Sequence, residues 1–222
     1  MGPLVITIMA RVPRAGEVKT RLTPPLTATE AAELYRCFLL DKIEQVRTLT
    51  AVSPAIAYTP ADGRGFFEAL APGFVLVPQQ GTDLGTRLAS SFDQLFGKGY
   101  GGALAIDSDT PTLPTDFLAK ALDRLATPAT DIVLGPSEDG GYYLIGLREL
   151  RRELFEDMPW STAQVLRETI RRAETRGLTV ECLPPWFDID TAEDLERLRG
   201  SLRNAEGSAP RHTRRFLIGC PR

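Results

Sequence analysis

The feature that most constrains this chain is its alternation of short, nearly continuous apolar runs with longer stretches of helical spacing. Leu4 to Ala10 is β-branched and almost wholly apolar. Pro54 to Tyr58, Phe74 to Val77, Ala103 to Ile106, Ile132 to Leu134, Tyr142 to Leu147 and Leu178 to Cys182 are similar short runs. Such runs predict strands buried on both faces. Between them, Thr27 and Glu30 form a T-x-x-E capping box, and Leu34, Phe38, Ile43 and Val46 keep helical spacing to about Leu49. Leu84 to Phe96, Thr115 to Leu125, a segment capped by Ser161 and Gln164 and running to Arg176, and Thr191 to Arg199 complete the predicted helices. Strand and helix in turn predict an α/β fold, a mostly parallel sheet covered on both faces, which binds ligands beyond the carboxyl ends of its strands.

Composition narrows the chemistry. With 222 residues, 43% hydrophobic and 25% charged, the chain has a core large enough to stand without disulfide or metal staples. Residues 1–200 read as one domain, and 201–222, with Arg203, Arg211, Arg214, Arg215 and Arg222, as a flexible basic tail. A net charge of −3 argues against a nucleic-acid or membrane-surface partner. No apolar stretch approaches the ~20 residues of a membrane span, and no cleavable signal opens the chain, so a soluble, cytoplasmic protein is expected. Cys37, Cys182 and Cys220 are odd in number and lack C-x-x-C spacing; Cys37 and Cys182 read as small core hydrophobes. The single histidine, His212, sits in the tail, which argues against a Ser-His-Asp triad. Any metal therefore falls to carboxylates, which favour hard cations such as Mg²⁺ or Mn²⁺.

Carboxylates occur where such a site is needed. Asp107-Ser108-Asp109 follows the Ala103–Ile106 run, and residues two apart in an extended segment project to one side. Asp188-Ile189-Asp190 repeats the spacing before Thr191 and Asp194, which read as a helix start. These pairs predict Asp109 as the main metal ligand, Asp190 or Asp188 completing the shell, and Asp107 nearby on the nucleotide. The competing reading is an Asx turn with a helix cap. At the end of the first strand, Ala10 and Arg11 lead into a basic loop holding Arg14, Lys19 and Arg21, suited to phosphates. Gly16-x-x-Lys19-Thr20 misses the P-loop pattern because no glycine precedes Lys19. Gly81 and Gly85 flank Asp83, with Arg87 following, as a turn toward the nucleotide or as a helix cap.

Taken in order, Met9 to Leu22 with its Lys19-Thr20-Arg21-Leu22 ending, Gly81 to Leu88, Asp107 to Pro111, Gly135 to Tyr143, Pro159 to Thr162 and Asp188 to Thr191 form a specific series. The series resembles the DUF2064 family of radical-SAM-associated GT-A-type glycosyltransferases over about residues 3–200. That resemblance implies a nucleotide-diphospho-sugar transferase fold, with a seven-stranded, Rossmann-like mixed sheet and a D-x-D-type metal site. The basic loop is also similar to that of 2-phospholactate guanylyltransferases, whereas the G-x-G-T-R loop common among sugar nucleotidyltransferases is absent. The expectation is a metal-dependent glycosyltransferase using a nucleotide-sugar donor and a small-molecule acceptor. Nucleotidyl transfer from an NTP, with release of pyrophosphate, is the alternative. An inverting transfer needs a general base, for which Asp139 comes first, beside the diglycine as in the family motif, and Glu138 second. Gly140, Gly141, Tyr142 and Trp160 are expected around the acceptor; turn-amide binding by the two acids and a packing role for Trp160 compete with that reading.

Overall fold

The computed structural model describes residues 2–204 and 210–218. Its strands are β1 (Leu4–Arg11), β2 (Val52–Thr59), β3 (Val75–Pro78), β4 (Gly102–Ile106), β5 (Ile132–Pro136), β6 (Tyr142–Leu147) and β7 (Val180–Cys182). Its helices are α1 (Ala28–Arg47), α2 (Arg64–Leu70), α3 (Leu84–Gly97), α4 (Thr115–Ala126), α5 (Val165–Thr175), α6 (Ala192–Asn204) and α7 (Arg211–Ile218). The sheet has seven strands in the order β3-β2-β1-β4-β6-β5-β7. β6 is antiparallel to both its neighbours, and every other pairing is parallel.

Alternation along the strands divides the core between the two faces. Ile6, Ile8, Leu104 and Ile106 pack with Phe38 and Leu39 of α1, Leu118 of α4 and Leu198 of α6. Val5, Ala55, Ala57, Ala103 and Ala105 face the other way, toward Phe92 and Leu95 of α3 and Ala173 before the end of α5. The alanines let α3 approach closely. At the start of α1 both halves of the capping box form: Thr27 donates its N–H to Glu30 Oε2 (2.8 Å), and Glu30 donates its own to Thr27 Oγ1 (3.2 Å).

Several sequence expectations need correction. Ser161 does not cap α5: its φ of 62° lies in the left-handed region, and the helix begins at Val165 after Gln164, with no side-chain cap. Cys182 ends the short edge strand β7 and is exposed, not core, whereas Cys37 is buried as expected; Cys220 lies outside the described residues. The basic segment after α6 is not a free tail where it is described. α7 lies on α1, with Phe216 and Leu217 against the first core. Buried Asp41 of α1 accepts hydrogen bonds from the N–H groups of His212 (2.9 Å) and Thr213 (2.8 Å) and from Thr213 Oγ1 (2.6 Å). The basic residues masked an amphipathic helix whose first turn is capped by an acid far away in sequence. Among the described residues, no helix is long and apolar enough to cross a membrane.

Candidate active site

A cleft of about 350 Å³ crosses the carboxyl ends of β4, β1, β2 and β3. Its charged end is built from the basic loop and the two D-x-D segments. Lys19 stands in the left-handed region at φ 48°, while the neighbouring Val18 and Leu22 are buried and anchor the loop in the core. The Lys19 side chain, only 5% exposed, bridges Asp109 Oδ2 at 2.8 Å and Asp190 Oδ1 at 2.7 Å. Burial alone lowers the ammonium pKa, but the two carboxylates reverse this and hold it above its ordinary value. The N–H of Ile189 donates to the Asp109 carbonyl (3.1 Å), tying the two acidic segments together. Ser108 Oγ meets Asp109 Oδ1 at 3.2 Å and Tyr35 Oη at 2.9 Å; that same hydroxyl accepts from the Arg11 N–H at 3.1 Å.

Past Ile106 the chain leaves the extended form, so the rule that residues two apart share a side does not carry over to the D-x-D pair. Asp109 lines the cleft, whereas Asp107 does not. Asp107 Oδ1 accepts from Thr110 Oγ1 (2.6 Å), and the fully buried Lys42 Nζ donates to the Thr110 carbonyl (2.9 Å) and hydroxyl (3.0 Å). Burial pushes Asp107 up to about 7, Lys42 opposing that shift and Asp109 adding to it. Asp188 is raised to about 6 by burial and then by the nearby charges of Asp190 and Asp139. Asp107, Asp109, Asp139, Asp188 and Asp190 are thus electrostatically linked around Lys19 and Lys42.

Asp109 and Asp190 present hard oxygen donors that converge on one cation, here an ammonium group. That donor set fits Mg²⁺ or Mn²⁺, with Asp188 close by. A second group of ligand-type side chains, Asp41, Glu44 and His212, lies between α1 and α7 with its atoms within 4.8 Å of one another. Those groups fasten α7 to α1: Glu44 meets His212 Nε2 at 3.0 Å and pairs with Arg211.

Ala10, Arg11, Arg21 and Arg87 line the cleft beside Lys19. Asp83 does not line it. Its carboxylate accepts from the Thr86 N–H (2.9 Å) in a reciprocal cap of α3, which lowers its pKa. Glu138 is held by Arg197 through a two-pronged pair (2.6 and 2.9 Å), with that guanidinium over the Phe187 ring. Asp139 Oδ1 accepts from the Gly141 N–H at 2.9 Å, and its charge is felt by Asp188. Gly140, at φ 89°, sits against the Ala163 backbone, where a side chain has no room. Tyr142 turns into the second core with its hydroxyl buried near Thr169, and Trp160 meets it edge-on at 6.5 Å. Trp160 also packs on Gly85 at the start of α3, so these two aromatic residues are brought to the core rather than into the cleft. Sequence reasoning missed Tyr35, Thr59, Gln79, Leu84 and Ser108, all cleft residues. Position was the available signal for Thr59 and Gln79, which lie at strand carboxyl ends; Tyr35 and Leu84, on α1 and α3, carried none.

Comparison with known proteins agrees with this fold. The family described as "Uncharacterized protein conserved in bacteria (DUF2064)" matches residues 42–162. A provisionally assigned nucleotide-diphospho-sugar transferase from Desulfovibrio desulfuricans G20 is 34% identical, with a TM-score of 0.87 over 96% of this chain and 95% of that one. The 2-phospho-L-lactate guanylyltransferase of Methanothermobacter thermautotrophicus is 25% identical over 218 residues, spanning 93% of this chain and 86% of the relative. Glucosyl-3-phosphoglycerate synthase from Mycobacterium tuberculosis, solved with Mn²⁺, UDP and phosphoglyceric acid, shares the fold at a TM-score of 0.53 and 12% identity. That match covers 89% of this chain and 74% of the synthase.

Proposed function

The chain belongs to the DUF2064 family and has a GT-A-like nucleotide-diphospho-sugar transferase fold, and from that premise we propose that it is a metal-dependent glycosyltransferase with a nucleotide-sugar donor. The observation that carries this reading is the convergence of Asp109 and Asp190 on one cation position, taken in the structure by the Lys19 ammonium, in a cleft flanked by Arg11, Arg21 and Arg87. Two carboxylates and several cations in one cleft suit a metal-bound diphosphate. Asp109 and Asp190, with Asp188 nearby, would hold Mg²⁺ or Mn²⁺, which when bound would supply Lewis-acid stabilisation of the leaving phosphate. Lys19 and Arg21 bind the phosphate oxygens, Arg through paired hydrogen bonds and Lys as a point charge.

Asp139, on the glycine-rich loop beside Asp188, takes the acceptor hydroxyl proton. The acceptor oxygen then bonds to the anomeric carbon as the bond from that carbon to the diphosphate breaks, and the nucleoside diphosphate leaves against Lys19 and Arg21. Glu138 is less suited to the base, because Arg197 engages both of its oxygens.

Similarity to the guanylyltransferase over 93% of the chain favours a second reading, nucleotidyl transfer to a phosphorylated small molecule. The products separate the two. Purified protein with Mn²⁺ or Mg²⁺ is incubated with panels of nucleotide sugars and NTPs. Nucleoside diphosphate released from a sugar donor supports glycosyl transfer; acceptor-dependent pyrophosphate from an NTP overturns it in favour of the second reading. Asp109→Asn is expected to keep the fold and lose metal-dependent nucleotide binding, and unchanged Mn²⁺-dependent affinity would remove Asp109 from the metal site.

A further inference from the structure

Tyr35 and Lys42 lie two turns apart on α1 and so share a face of that helix. Their neighbours Leu34, Phe38 and Leu39 are fully buried core residues. Tyr35 and Lys42 are buried with them, and polar groups sunk into an apolar face cost free energy unless they find partners. Both find them on the two residues that flank Asp109. Tyr35 Oη meets Ser108 Oγ at 2.9 Å, and Lys42 Nζ donates to the carbonyl (2.9 Å) and hydroxyl (3.0 Å) of Thr110. Ser108 and Thr110 are themselves buried, whereas Asp109 between them lines the cleft.

On the Tyr35 side, the direction of each hydrogen bond follows from what the groups can do. The backbone N–H of Arg11 can only donate, and it donates to Tyr35 Oη at 3.1 Å. The Asp109 carboxylate only accepts, and Ser108 Oγ donates to its Oδ1 at 3.2 Å. Each hydroxyl has one proton, so that of Tyr35 goes to Ser108. The bonds therefore run one way, from Arg11 through Tyr35 and Ser108 to Asp109 Oδ1. Oδ2 is left to face the cation position, where the Lys19 ammonium stands at 2.8 Å.

We propose that Tyr35 is a positioning residue for the metal: acting through Ser108, it turns Asp109 so that Oδ2 points at a divalent cation shared with Asp190. This rests on the reading of Asp109 as a metal ligand and deepens it. Lys42 holds the far side of the same turn through Thr110, so the freedom left for Tyr35 to govern is that of the Asp109 side chain. An ammonium on a flexible four-carbon stem follows a carboxylate that rotates. Mg²⁺ and Mn²⁺ favour octahedral oxygen ligands at fixed angles, so a cation held by two carboxylates is weakened when one swings away. Groups that hydrogen-bond a ligating carboxylate are typically worth about 10–100-fold in metal affinity.

The test is Mn²⁺ binding by the full chain, read by electron paramagnetic resonance, with a thermal melt of each protein in chelator. The variants are Tyr35→Phe, Ser108→Ala, the two together, and Asp109→Asn. Tyr35→Phe removes a single oxygen, and Ser108→Ala cuts the same link at its other bond. Each is expected to weaken Mn²⁺ binding about tenfold. The double variant is expected to bind no more weakly than Ser108→Ala alone, because a link already cut has nothing further to lose. Losses that multiply in the double variant overturn the link, since the two hydroxyls then act independently. A lower melting temperature with wild-type Mn²⁺ affinity in Tyr35→Phe also overturns it, leaving the hydroxyl as a strut between α1 and β1. Should Tyr35→Phe fail to fold, wild-type Mn²⁺ affinity in Ser108→Ala is sufficient to refute the assignment. If Asp109→Asn binds Mn²⁺ as the wild type does, Asp109 is not a ligand and the metal reading falls together with the role of Tyr35. If Asp109→Asn loses Mn²⁺ and Tyr35→Phe does not, only the role of Tyr35 is refuted.

Discussion

Replacing Lys19 with methionine tests the charged end of the cleft directly. In the structure the ammonium makes contacts of 2.8 and 2.7 Å with Asp109 and Asp190, the two carboxylates assigned to the metal. Each charge-assisted contact of this kind is worth about 1.5–3 kcal/mol, so a divalent cation must displace roughly 3–6 kcal/mol of interaction. Part of that returns when the freed ammonium meets water or a phosphate. The net expectation is nucleotide-free Mn²⁺ binding about tenfold to a hundredfold tighter in Lys19→Met, equivalent to about 1.4–2.8 kcal/mol. Nucleotide binding moves the other way, weakening by about tenfold or more through loss of one phosphate contact of about 1.5–3 kcal/mol. Free Mn²⁺ measured by electron paramagnetic resonance, with and without nucleotide, reads both effects. In chelator the variant also melts at a lower temperature, because two carboxylates then face each other without a cation, and Mn²⁺ restores it. If Mn²⁺ affinity falls together with nucleotide affinity, Lys19 organises the carboxylates instead of competing for them, and the reasoning fails.

Four further outcomes follow from the geometry. Asp139→Asn lowers the transfer rate by about 10²-fold or more with donor affinity retained; a collapse of donor affinity assigns Asp139 to the metal group beside Asp188. Gly85→Ala puts a methyl 2.6 Å from the Phe155 carbonyl and Trp160 Nε1, and urea denaturation should show a loss of about 1–3 kcal/mol. Asp41→Ala leaves the half-buried His212 N–H and the buried Thr213 N–H without their acceptor, at about 1–3 kcal/mol for the buried group, so amide exchange in α7 should quicken before the rest of the fold does. Hydrogen bonds from Arg171 and Arg172 draw Glu168 down to about 2 from an ordinary 4.5. A depressed carboxylate stabilises above its unfolded value and loses that contribution as pH falls toward 2, so thermal melts of Glu168→Gln should fall below wild type at pH 7 and converge with it near pH 2.

Strands and most helices were legible because burial on two faces leaves continuous apolar runs, and capping boxes such as Thr27-Glu30 mark helix starts. Lys19, Asp109 and Asp190 were legible because dense charge at strand ends has few structural uses. Asp107 lies off the cleft lining although its spacing matches that of Asp109, since the rule of alternate sides holds only while the chain stays extended, and here the strand ends at Ile106. Asp83 and Tyr142 show a related limit. A cap and a core aromatic use the same residue types as a binding site, and only their neighbours distinguish them. Gln79 carried no signal beyond its place after a strand, because its setting is made by β1 and β2 carbonyls brought to it by the sheet. α7 was hidden because its cap, Asp41, lies 172 residues away from Thr213.

That separation has a consequence for how the protein is made. On the ribosome α1 emerges early, yet the acid in its middle waits for donors that arrive only after the whole sheet has been translated. Until then Asp41 and the adjoining apolar surface face solvent or a chaperone. The neighbouring Lys42 roots Thr110, and through it Asp107, beneath the charged end of the cleft. The last described helix to be synthesised therefore closes over the region that supports the chemistry. A nascent chain can build its central strands while this seam is still open, and the contacts of Asp41 with Thr213 form only once α7 has emerged.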